Sequence, residues 1–135
     1  MQQNLVLILA RELADKLASA MFLVDAEGRL VYFNERAADL LGEAFSSAGR
    51  MPLEDWSRAF KPLTPDGQPL QPGELPLVIA VAERVPAHRT LRIEGMDGTL
   101  RDLAVTAFPL FAHADEFVGA AAIFWEQPPS QGGSP

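Results

Sequence analysis

The chain has 135 residues, with 18 acidic and 11 basic side chains, a formal net charge of −7 and no cysteine. That length fits one domain able to bury a core without disulfide or metal staples. The missing cysteine removes disulfides, thiolate zinc sites and cysteine nucleophiles, and the acidic balance argues against nucleic acid or an anionic membrane surface as partner.

The first segment, Asn4 to Ala20, carries Leu5, Leu9, Leu13 and Leu17 at every fourth position, with Val6, Ala10 and Ala14 beside them. That spacing predicts an amphipathic helix. Leu7 and Ile8 make its start apolar on more than one face. The helix therefore packs on its own domain, meets a second copy through the leucine stripe, or does both. The apolar run Leu5 to Ala10 is far shorter than the ~20 residues that span a bilayer, and no basic segment precedes it. A soluble, cytoplasmic protein is the expectation.

Met21 to Asp25 and Leu30 to Asn34 are rich in strand formers and flank Ala26-Glu27-Gly28-Arg29, which predicts a hairpin. Asn34 then stands before Glu35 to Leu41 as a helix N-cap, with Gly42 suited to the exit. Glu43 to Gln71 is irregular, with a short helix expected over Pro52 to Phe60. Pro62, Pro65, Pro69 and Pro72 forbid a long helix or central strand there. Gly73 to Arg84 returns to helix, with Leu75, Val78, Ile79 and Ala82 as its apolar face. Three strands follow, His88 to Glu94, Leu100 to Phe111 and Phe117 to Trp125. The last is small and apolar throughout, as in a strand buried on both faces. Gln127 to Pro135 reads as a flexible tail or linker, giving helix 1–19, domain 20–126 and tail 127–135.

Phe33-Asn34-Glu35-Arg36-Ala37-Ala38-Asp39-Leu40-Leu41-Gly42 resembles the PAS domain pattern, in which Asn opens the first short helix and Leu-Gly closes it. Pro65-Asp66-Gly67-Gln68-Pro69-Leu70 and Glu74-Leu75-Pro76-Leu77 resemble the segment before the long PAS helix of bacterial sensor proteins. Asp97-Gly98-Thr99, Pro109-Leu110 and Val118-Gly119 match the last turn and strands. The resemblance implies an α+β fold with a five-stranded antiparallel sheet, helices on one face, and a pocket between the sheet and the long helix. Its candidate lining is Phe33, Leu75, Val78, Ile79, Ala82, Leu103, Val105, Ala121 and Ile123.

The function so implied is a sensor module of bacterial signal transduction, as in two-component systems. It would bind a small ligand or dimerise, and pass a signal to an output domain or protein in cis or in trans. The alternative is a ligand-free interaction module. A homodimer would form through Leu5, Leu9, Leu13 and Leu17. Pro128 and Pro129 interrupt any helix leaving the last strand, so the N-terminal helix is the better route for signal passage.

The ligand is left open. With no cysteine, the flavin–cysteinyl adduct and the cysteine-linked chromophore of this fold are excluded. Haem ligation by His88 is disfavoured, because that residue reads as a solvated strand edge, and His113 reads as surface. The two histidines show no metal spacing. The pairs Glu12/Asp15 and Glu54/Asp55 read as solvated charge, and no serine sits in a nucleophile elbow. No enzyme is expected.

Overall fold

The computed structural model describes residues 2–16, 18–41, 51–53, 55–56, 61–94, 98–113 and 115–127. In chain order these form α1 (Gln2–Lys16), β1 (Ala20–Asp25), β2 (Leu30–Phe33), α2 (Glu35–Leu41), a 3-10 turn (Pro72–Glu74), α3 (Pro76–Glu83), β3 (Ala87–Glu94), β4 (Leu100–Phe111) and β5 (Phe117–Glu126). The five strands make one antiparallel sheet in the order β2-β1-β5-β4-β3. This is the α+β architecture that the resemblance implies.

The first helix ends earlier than its leucine spacing suggests. Ala20 already belongs to β1 and pairs with Phe124. Sheet pairing takes over where the run Ala20-Met21-Phe22-Leu23-Val24 supplies buried strand residues. Leu17 and Gly42 lie outside the described residues, as do Asp97, most of the expected helix 52–60 and the segment 128–135. Within that helix, Trp56 N–H still donates to the Pro52 carbonyl at 3.1 Å.

The β1–β2 turn is set by Asp25 and Gly28. Asp25 Oδ1 accepts from the N–H groups of Glu27 and Arg29, and Gly28 takes φ +83°. A side chain at Gly28 would also strike Leu53, whose Cδ1 lies 2.7 Å from the position of a Cβ. The Arg29 guanidinium closes the turn on Asp25 at 2.9 Å, and that bond raises its pKa above the ordinary value.

The sheet is covered on both faces. On the inner face, α2 and α3 pack with Phe22, Val24, Leu91, Leu103, Val105, Ala122 and Phe124 into the main core. On the outer face, α1 lays Leu7, Ala10 and Ala14 over Met21, Leu23 and Ala121. That outer layer leaves Leu5, Ile8, Leu9 and Leu13 exposed, each by more than half. The face α1 buries is thus beside the leucine stripe, not the stripe itself.

Candidate functional site

A cavity of about 90 Å³ lies between the inner face of the sheet and the start of α3, and it opens to solvent. Its floor comes from four strands: Phe22 of β1, Leu91 and Ile93 of β3, Leu103 and Val105 of β4, and Ala122 and Phe124 of β5. Its walls are Leu41, Trp56 and Pro62, and Leu75, Pro76 and Leu77 form the roof. The void has a local cause. Ala122 pairs with Phe22 on one side and with Ala107 on the other, so the floor carries only a methyl group at Ala122.

The aromatic side of the cavity is ordered by ring contacts. Phe22 stacks on Phe33 at 5.6 Å with an interplanar angle of 3°. Trp56 and Phe124 meet Phe22 edge to face, at 5.6 and 6.4 Å. The one polar atom of the Trp56 side chain, Nε1, donates to the Gly28 carbonyl at 2.7 Å, which leaves its carbons for the cavity.

Residues 9–75 match the family model of the PAS domain. The chain belongs to the PAS domain family. The PAS domain of a Colwellia psychrerythraea protein is similar at 18% identity, with a TM-score of 0.62 over 90% of this chain and 97% of that one. The PAS domain of the fruit-fly ELK potassium channel is similar at 14% identity, with a TM-score of 0.71 over 89% and 95%. A LOV protein from Rhodobacter sphaeroides is similar at 15% identity, with a TM-score of 0.68 over 98% of this chain and 71% of that chain. At these identities the likeness is one of fold. No curated protein sequence matches the chain.

Within this PAS domain, Leu75, Leu103 and Val105 line the cavity. Phe33 is buried one ring behind the lining, stacked on Phe22. Ala121 and Ile123 require correction: they lie on the outer face, in the cluster under α1. Their neighbours Ala122 and Phe124 line the cavity instead. Every residue from Phe117 to Ala122 is buried, so β5 shows no alternation from which to read its facing.

The α3 face also requires correction. Pro76, Leu77 and Ala80 are the buried residues of the helix, with Val78 and Val81 half-buried against the core. Ile79 is half-buried outside that cluster, and Ala82 is exposed. Leu75-Pro76-Leu77-Val78-Ile79-Ala80-Val81-Ala82 is apolar at every position, so its periodicity carries no phase.

Sequence reasoning overlooked Phe22, Leu41, Pro62, Leu91 and Ile93. The alternation Arg89-Thr90-Leu91-Arg92-Ile93 was the available signal for the two β3 residues. His88 lies on the outer face, where Nδ1 is 2.7 Å from Thr106 Oγ1, away from the cavity.

The second feature of the site is the junction that fastens α1. Asn34 is 3% exposed. Its Oδ1 accepts from Ala37 N–H, the cap of α2, and also from Met21 N–H. Its Nδ2 donates to the carbonyls of Ala14 and Ser19, at 2.8 and 3.0 Å. The residue is more than the cap that the sequence suggests. Two residues either side of it add to the junction. Tyr32 donates its hydroxyl to Asp15, and Arg36 Nε donates to the Ala18 carbonyl at 3.1 Å. Arg11 lies over the Tyr32 ring at 4.2 Å. No helix among the described residues is long and apolar enough to cross a membrane.

Proposed function

We propose that this PAS domain is a non-enzymatic sensor module of signal transduction. It binds a small ligand in the cavity beneath α3, dimerises through α1, and passes the resulting change to an output domain or partner. The observation that carries this reading is the combination of an open apolar cavity on one face of the sheet with an exposed leucine face on the other. Ligand binding shifts a pre-existing balance of sheet and helix packing, provided that the ligand favours one arrangement. The fold relatives lend support, since they include a PAS domain from a two-component sensor histidine kinase.

One feature favours a second reading. Leu5, Leu9 and Leu13 are 53%, 59% and 55% exposed, and that surface suits a dimerisation module with no ligand. Native mass, the absorbance spectrum and analysis of small molecules released on denaturation separate the two. A dimer that releases a stoichiometric small molecule supports the sensor. A dimer that releases none, and whose stability no small molecule alters, supports the interaction module. A monomer at micromolar concentration contradicts dimerisation through α1.

A further inference from the structure

We infer that the cavity accepts the apolar end of its ligand, a short alkyl group or one edge of a single hydrocarbon ring, and that the described residues offer that end no polar side chain. The inference rests on the reading of the chain as a ligand sensor and names the chemistry of that ligand.

Size limits what enters. At about 90 Å³ the cavity is smaller than the ~150 Å³ of an engineered apolar cavity that admits benzene or xenon. It is far below the ~300–1,000 Å³ that encloses a drug-sized molecule. A fused-ring cofactor cannot be enclosed whole. Because the cavity opens to solvent, a ligand can seat one small end inside and keep the rest at the mouth.

Chemistry limits it further. Among the described residues, every lining side chain is aliphatic or aromatic, and Pro62 and Pro76 have no N–H to offer. The Trp56 Nε1 hydrogen is taken by the Gly28 carbonyl. A hydroxyl or carboxylate placed among Phe22, Trp56, Ala122 and Phe124 would lose its water and find no side-chain partner among the described residues, which is unfavourable. An apolar group gives up no hydrogen bond in the exchange, and the rings of Phe22, Trp56 and Phe124 supply dispersion contacts.

The test uses the full chain with Trp125→Phe, which leaves Trp56 at the cavity wall as the sole tryptophan, excited at a wavelength that Tyr32 does not absorb. Toluene and n-hexanol are titrated as apolar probes, and flavin mononucleotide and citrate as polar ones. Toluene is expected to change Trp56 emission saturably and to raise the unfolding temperature, as a ligand of the folded state does. Ala122→Phe, which fills the floor, should weaken toluene binding at least tenfold. Ala122→Val serves the same purpose should the larger side chain fail to fold, and it should weaken binding by a smaller factor.

Binding of flavin mononucleotide or citrate with toluene silent overturns the inferred ligand chemistry and leaves the sensor reading standing. Toluene binding that both folded Ala122 variants leave unchanged places toluene elsewhere and overturns the inference. Silence from all four probes overturns the inference and the ligand-binding part of the proposed function together.

Discussion

Asn34 Nδ2 donates to the Ala14 carbonyl at 2.8 Å, joining the last turn of α1 to the start of α2 across 20 positions of chain. The same side chain holds Met21, Ser19 and Ala37, so the exit of α1, the start of β1 and the cap of α2 share one buried amide. A buried polar group satisfied on all sides fixes geometry, and removing it strands each of its partners. Losing the cap costs ~1 kcal/mol, and a stranded buried group costs ~1–3 kcal/mol. Asn34→Ala is therefore expected to lower stability by about 2–4 kcal/mol in chemical denaturation. Asn34→Asp retains the two acceptor bonds and loses both donors. Hydrogen exchange in that variant should rise at the end of α1 and stay low in α2; equal loosening of both helices would contradict the junction.

Tyr32 is the one tyrosine of the chain, so its titration can be read directly from phenolate absorbance. Burial, then its hydrogen bond to Asp15 and the charge of that carboxylate, push its pKa above the ordinary value of 10.0, while Arg11 pulls it down. A group whose folded pKa lies above its unfolded value contributes stability that is complete below the unfolded value. That contribution is lost as pH rises through the folded one. Stability should thus hold up to about pH 10 and fall above it, with α1 exchanging faster as the phenolate forms. Tyr32→Phe should remove this alkaline step. An unshifted titration would contradict the contact.

Gly119 lies where β5 passes under α1. A Cβ there would stand 2.4 Å from the Val24 carbonyl oxygen and 3.1 Å from Leu7 Cδ2. Backbone cannot yield at that distance without disturbing the β1–β5 pairing. Gly119→Ala is expected to cost ~1–3 kcal/mol, by thermal or chemical unfolding, and to loosen α1 along with the strand pair.

Leu9 and Leu13 make the opposite case. Both are more than half exposed, so Leu9→Lys and Leu13→Lys should change the unfolding stability of the monomer by no more than ~0.5 kcal/mol. If α1 joins two copies, the same changes weaken the dimer by tenfold or more in sedimentation. Unaltered dimerisation in the double variant would place the interface elsewhere.

The order of the elements was legible in the sequence because each signal was local. The Gly28 turn, the Asn34 cap and the alternation of β3 each needed a few residues, while Leu75, Leu103 and Val105 came from the resemblance to PAS domains. What failed was phase. Both α3 and β5 are apolar at nearly every position, so only the neighbours they meet decide their facing. The register Val105↔Phe124 turns Ala120, Ala122 and Phe124 of β5 inward. Trp56 and the breadth of the Asn34 junction depend on partners 28 and up to 20 positions away, which no local pattern encodes.

On the proposed function, occupancy of the cavity beneath α3 on one face of the sheet is expected to alter association through α1 on the other. Sedimentation velocity of the full chain, with and without saturating toluene, measures that coupling. A shift of about fivefold or more in the dimer dissociation constant, absent in a folded Ala122 variant, is the predicted result. Toluene bound at saturation with an unchanged dimer constant would contradict it.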